Sequence, residues 1–374
     1  MGSAKRVAVS AAIVAAMTSS CTGPLQQQSV ERRSEPTQRS VEVSPVPGSP
    51  TPTETRPGRQ QPADPVGKVT LGFAGDVHFA DELQTLLDQP VTALRPIAPA
   101  LSRPDLMMVN LETAITERGT PYPKDYNFRT SPTALDALAS SGVDVVTMAN
   151  NHAVDYGAVG LRDTLAAARE SPIPVVGVGK DARSAFRPYV VSVRGIRIAV
   201  LAATTLPDET VAGWTAGRHK AGVAVALLPR PELTNAVRAA QEKADVVVVY
   251  LHWGDENHSC PYWRPLLHAR ALAAAGADVV VGSHAHVLLG AGWLGDTYVD
   301  YGLGNFIWYN QSSVRTGLLT LTVRDGSVVR DSFAPADIAA DGLPRWLRGS
   351  ARASAVAGWR QLRGCTNLAA QPAR

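Results

Sequence analysis

The sequence predicts an α/β protein, on two observations. Runs such as DVVVVYLH (Asp245–His252) and ADVVV (Ala277–Val281) are continuously apolar over strand length, the pattern of strands covered on both faces. From Val69 onward the chain also repeats one unit: a helix, a short Gly or Pro break, an apolar strand and a polar cluster. Strands alternating with helices in this way give layered α/β packing. The 374 residues suffice for one large domain or two average ones, and the 45% hydrophobic and 18% charged content is that of a soluble globular protein. A net charge of +3, with no Lys/Arg block or aromatic-basic stripe, is too small to argue for nucleic acid as a partner, and none is expected.

Residues 1–21 read as a signal peptide: Lys5 and Arg6, the apolar stretch Val7–Met17, then small residues before Cys21. The apolar stretch is shorter than the ~20 residues a spanning helix requires. Thr18-Ser19-Ser20-Cys21 is similar to a bacterial lipobox, with Thr18 where Leu is usual. Cys21 is therefore either the lipidated first residue of a membrane-anchored protein or incidental to ordinary secretion. Residues 22–67 are rich in Pro, Ser, Thr, Gln and Arg and nearly free of large apolar side chains, the composition of a disordered tether. Both features place the protein outside the cytoplasm, tethered to the outer face of the cell membrane or secreted.

The folded part is expected over 68–340, with a helical extension over 341–374. Strands are read at Val69–His78, Pro104–Glu112 and Val143–His152, the last entered from a helix around Pro132–Ser141 that stops at Gly142. A short strand follows at Pro174–Gly179, then a hairpin over Tyr189–Thr205 turning at Arg194-Gly195. The helices Arg230–Ala244 and Trp263–Ala275 lead into Ala244–Gly254 and the ADVVVGSHAH strand. Beyond it, Thr297–Trp308 and Thr316–Ile338 read as strands in meander order, with the Asp325-Gly326 hairpin signal, and predict a second, mixed sheet packed on the first. An Ala- and Arg-rich helix is read from Arg345 to Arg363. With Cys21 set aside, Cys260 and Cys365 form an even pair in an oxidising compartment and are either bridged or two free thiols.

The chemistry collects at strand ends. Five strands finish in metal-competent residues: Asp76 and His78; Asn110 and Glu112; Asn150, Asn151 and His152; His252; and His284 and His286. Five of the eight histidines fall there, whereas His219, His258 and His268 read as ordinary loop or helix residues. In a mainly parallel sheet these ends share the edge where ligands bind. His284 and His286 sit one residue apart, so on an extended chain their imidazoles point the same way. Imidazoles, carboxylates and an amide oxygen without thiolate suit Zn, Mn or Fe. The donors outnumber the needs of one tetrahedral ion and match two ions sharing a carboxylate.

In order, GDVH, NLE, ANNHAVDYG, HWGDE, GSHAH and GLGNF resemble the bacterial capsule synthesis proteins of the CapA type, which act in poly-γ-glutamate biosynthesis and are related to the calcineurin-like metallophosphoesterases. The resemblance covers Val69–Leu321, and implies a four-layer α/β/β/α sandwich with a dinuclear metal centre at the loop ends between its sheets. It further implies Asp76 and His286 at the first metal, with His78 a metal residue as the second member of the opening D-x-H motif, Glu112 as the bridging carboxylate, and Asn151, His252 and His284 at the second. Glu112 stands where the phosphoesterases carry Asp, and Asn150 where they carry Gly. His152 matches the histidine that protonates the leaving group, and Asp155 is read as either its orienting partner or a loop cap. Glu256 and Asn305 recur in the motifs without a chemical role; Trp253 and Trp308 line the pocket or pack between the sheets. Three functions follow: a metal-dependent hydrolase of a phosphoester or an anionic envelope polymer, an assembly or export factor working with membrane-bound capsule synthesis proteins, and a metal-free polymer-binding protein. The intact ligand set counts against the third.

Overall fold

The computed structural model describes residues 67–309 and 314–373. The signal peptide, Cys21 and the tether lie outside the described residues. Two sheets dominate. In the first, the central strand Lys68–Val77 lies parallel to Leu106–Leu111, followed by Val145–Thr147 and the edge strand Val175–Val176. On its other side, Arg315–Arg324, Ser327–Ile338 and Pro344–Trp346 continue the sheet antiparallel. The second sheet runs Ala291–Leu294, Thr297–Asp300, Val279–His284, Val246–Trp253, Ile196–Thr204, Tyr189–Val193.

Side-chain alternation shows how the layers stack. Along Val246–Trp253, Val246, Val248 and Tyr250 join one large core with Leu71, Phe73 and Leu319 of the first sheet. Val247, Val249 and Leu251 point the other way, into a separate core with Leu233 and Val237 of helix Glu232–Gln241 and Leu272 of helix Trp263–Ala275. Helix Thr133–Ser141 packs Leu135 and Leu138 into the core of the first sheet. Both faces of the second sheet are thus covered, which is why its strands read as unbroken apolar runs. The Tyr250 hydroxyl donates to the Ala74 carbonyl at 2.7 Å, a polar tie across the inter-sheet core. The architecture is an α/β/β/α sandwich.

The structure departs from the expected C-terminal arrangement. The meander does not make a sheet of its own: Thr297–Asp300 pairs parallel to Val279–His284, whereas Arg315–Arg324 pairs with Lys68–Val77 from Lys68↔Arg324 to Phe73↔Leu319. Long-range pairing of this kind leaves no local signal, because either sheet accepts an apolar strand of the right length. Residues 344–346 are strand, and the last helix begins at Gly349 and ends at Gln361. That helix is pinned by Trp359, stacked on Phe333 at 4.8 Å. Cys260 and Cys365 form a disulfide that ties the tail to the 254–262 loop.

Candidate metal centre

The strand ends of both sheets meet at one place, and each sheet brings different chemistry. The first contributes carboxylates and amides. Gly75 precedes Asp76, and a side chain there would collide with the Gly304 carbonyl, so glycine permits the close approach in which Asp76 N–H donates to Gly304 O at 2.9 Å. Asp76 is fully buried; its Oδ1 accepts from Asn110 Nδ2 at 2.7 Å and its Oδ2 from the His284 N–H at 2.9 Å. Asn150 donates in turn to Asn110 Oδ1 at 3.1 Å and to Leu111 O at 2.8 Å, and accepts from the His152 N–H. Asn110 and Asn150 therefore form a polar frame rather than presenting oxygens to a ligand.

The second sheet contributes imidazoles. His252 Nε2 donates to Asn151 Oδ1 at 2.8 Å and lies 3.3 Å from Glu112 Oε1, while its Nδ1 faces Ser283 Oγ at 3.1 Å. His284 and His286 do not sit on an extended chain: both have left-handed backbones, φ +94° and +58°. Their convergence comes from this turn and not from strand alternation. Such a backbone is costly for a non-glycine residue, and strain of this kind concentrates at functional sites.

Two groups of donor atoms result, each with its atoms within 4.8 Å of one another: Asp76, Glu112 and His252, and Glu112, His284 and His286. Glu112 belongs to both. The resemblance pairs Asp76 with His286 and His252 with His284; those contacts are close too, with Asp76 Oδ2 3.8 Å from His286 Nδ1 and the His252 and His284 rings 4.7 Å apart. His78 stands outside both groups. Its Nδ1 accepts from Ala80 N–H at 3.1 Å, and its ring stacks on Phe128 at 4.6 Å and meets Trp308 edge-on.

The polar inventory of this pocket is incomplete as it stands. Both oxygens of Glu112, Nε2 of His78 and Nδ1 of His284 are buried without a hydrogen-bond partner. Buried groups left in this state are costly unless something binds them. Burial, then the charge of Asp76, pushes the Glu112 carboxyl up to about 8. Burial depresses His78 to about 3 and His252 to about 4, and holds His284 well below the ordinary imidazole value. His286 is also buried, but the carboxylates of Glu112 and Asp76 and its contact with Asn305 outweigh burial and raise it. Three imidazoles that burial keeps neutral, a carboxylate common to both groups, orphaned N and O atoms and no thiolate fit a divalent cation.

Residues beyond the predicted ligands complete the site. Asn305 Oδ1 accepts from His286 Nδ1 at 2.7 Å, which gives that motif residue a role. Lys124, for which the sequence carried no signal, pairs with Asp155 Oδ1 at 2.6 Å. Asp155 Oδ2 holds His152 Nδ1 at 2.7 Å, leaving His152 Nε2 toward Glu112 Oε1 at 3.7 Å. Trp308 lies 4.9 Å from the His286 ring and walls the site, whereas Trp253 packs in the outer core against Tyr301 and donates to its carbonyl. Glu256 is exposed and, with Asn151, His284, Tyr262 and Arg264, lines a cavity of about 540 Å³ beside the cluster.

The family model of the bacterial capsule synthesis protein PGA_cap matches residues 70–310. The chain is 31% identical to the capsule biosynthesis protein CapA of Bacillus anthracis, over 74% of this chain and 69% of that one. It is 30% identical to the PGA biosynthesis protein CapA of Bacillus subtilis, over 72% of each. Among solved structures, a phosphatase from Mycoplasma pneumoniae is similar at 13% identity and a TM-score of 0.47, covering 73% of this chain and 94% of that one. Among the described residues no helix is long and apolar enough to cross a membrane. By the extent of the family match and the identity to both relatives, the chain belongs to the PGA_cap family of bacterial capsule synthesis proteins.

Proposed function

We propose that the protein is a metal-dependent hydrolase of the cell envelope that acts in the synthesis or export of poly-γ-glutamate or a related anionic capsule polymer. In this reading it holds two divalent transition-metal ions, Mn, Zn or Fe, with Glu112 shared between them. Asp76, His78, Asn151, His252, His284 and His286 supply the remaining ligands. The observation that carries the reading is Glu112, a buried carboxylate with two unbonded oxygens that belongs to two separate ligand groups.

Divalent cations held by these residues would supply Lewis acidity for attack by water near neutral pH. The chain's own residues do the rest. Asp155 accepts from His152 Nδ1, so Nε2 faces the cluster; the doubly protonated ring would give its Nε2 proton to the leaving oxygen and keep the Nδ1 proton on the side of Asp155. Phe128 and Trp308 exclude water from the His78 and His286 side of the site. The extracytoplasmic placement and a lipid anchor at Cys21 belong to the same proposal.

The test is hydrolysis of bis(p-nitrophenyl) phosphate and of γ-glutamyl amides by metal-loaded protein. His152→Ala lowers turnover by about 10²–10⁴-fold with metal content unchanged. Loaded wild-type protein that turns over neither substrate, yet binds poly-γ-glutamate, supports the export-factor reading instead.

A further inference from the structure

The segment 122–128 runs beside the site as a strap and leads into the short ladder of Ala114–Ile115 with Arg129–Thr130. Its attachments converge on one buried residue. Tyr122 N–H donates to the Asp155 carbonyl at 2.7 Å, Phe128 N–H donates to Asp155 Oδ2 at 2.7 Å, and Lys124 pairs with Asp155 Oδ1 at 2.6 Å. Asn127 fixes the bend by donating to the carbonyls of Tyr122 and Lys124. Lys124 also donates to the main-chain carbonyl of Asn151 at 3.0 Å and stands 3.4 Å from His152 Nδ1. Phe128 lies against both the His78 and the His152 rings.

A half-buried lysine beside a buried aspartate is often no more than charge compensation. Two facts set Lys124 apart. It bonds the backbone of Asn151 and the side-chain partner of His152, so it braces both sides of the Asn-His step. His152 Nδ1 donates to Asp155, so it has no acceptor for the ammonium. The 3.4 Å approach is therefore enforced by the shared carboxylate.

We propose that Lys124 is a positioning residue of this site: by holding Asp155 and the Asn151 carbonyl together, it fixes the tautomer and orientation of His152. The proposal rests on His152 acting as the proton donor described above, and on the strap geometry independently of it. Without Lys124, Asp155 Oδ1 is a buried carboxylate oxygen with no cation. The carboxylate is then free to turn, and His152 loses its fixed Nδ1 donor geometry.

The experiment compares wild type with Lys124→Met and Lys124→Arg in the full chain. In metal-free protein, long-range ¹H–¹⁵N spectra report the His152 tautomer. In wild type the Nδ1-protonated form is expected, with Lys124→Met converting it to a mixture and Lys124→Arg restoring it. In loaded protein, kcat on bis(p-nitrophenyl) phosphate falls about 10–100-fold in Lys124→Met, with KM within about twofold and metal content unchanged. A wild-type tautomer and wild-type kcat in Lys124→Met, with only the melting temperature lowered, overturn the proposal and leave Lys124 a structural ion pair. If loaded wild-type protein shows no turnover, the catalytic reading fails, and the spectra of the metal-free proteins still decide the role of Lys124.

Discussion

Glu112 and Asp300 are two fully buried carboxyl groups, both pushed by burial to about 8, and each with an oxygen that receives no hydrogen bond. By those measures they are alike. Their neighbours separate them. Glu112 lies within ligand distance of Asp76, His252, His284 and His286. Asp300 accepts from Gly302 N–H at 2.9 Å, and its charged neighbour is another carboxylate, Asp331. A raised carboxyl therefore marks burial, and only the ring of imidazoles marks a site. Asp300 is a buried carboxyl with no cluster of donors around it, whereas Glu112 belongs to two candidate ligand groups.

Substitution at the two positions should split cleanly. The largest effect is expected for Glu112→Gln, which removes a member of both ligand groups at once and lowers metal affinity by at least ~100-fold, as measured by competition with a chelator. Because the metal-free Glu112 carboxyl sits near 8, loading at pH 7 displaces its proton. Proton release read with an indicator dye should fall by about one per chain in Glu112→Gln and stay unchanged in Asp300→Asn.

Asp300→Asn should act on stability alone, and with a definite pH dependence. Below pH 4 both folded and unfolded chains hold this proton, so the variant gains nothing. Between the ordinary value of 3.8 and about 8 the unfolded chain releases the proton while the folded chain keeps it. Over that window wild-type stability falls by about 1.4 kcal/mol per pH unit from this group. The Asn variant, which keeps an acceptor for Gly302, lacks that loss. Its melting temperature should exceed wild type by an amount that grows from pH 4 to pH 8. A gain that is flat with pH would mean that Asp300 is already ionised in the folded chain.

The smallest effect of the three is expected at Asn305→Ala, which removes the partner of His286 and leaves the ligand itself in place. Metal affinity should drop about 10–100-fold, below the Glu112→Gln effect, with no change in the pH dependence of melting.

Much of this comparison was legible in the chain before folding. The unbroken apolar strands Val246–Leu251 and Val279–Val281 announced a sheet covered on both faces, and the polar residues that follow them do gather at one place. Glu112 stood out by its position in NLE at the end of an apolar strand. Asp300 could not be told from it by the same logic, since it too ends a strand; what differs is the partner chemistry across the sheet. Lys124 and Asn305 escaped for a related reason. Each acts through a residue distant in sequence, Asp155 for the loop residue Lys124 and His286 for Asn305 at the start of strand Asn305–Ile307, and such pairings leave no periodicity. The turn that converges His284 and His286 was hidden as well, because positive φ at histidine has no sequence signature comparable to glycine.

The proposed function requires Glu112 to be shared by two cations. The most direct measurement is an anomalous-scattering map from crystals of the protein loaded with Mn. Two peaks flanking the Glu112 carboxylate are predicted, one toward each histidine-bearing group, with none at Asp300. A single peak, or peaks that do not touch Glu112, would rule out a carboxylate shared by two cations.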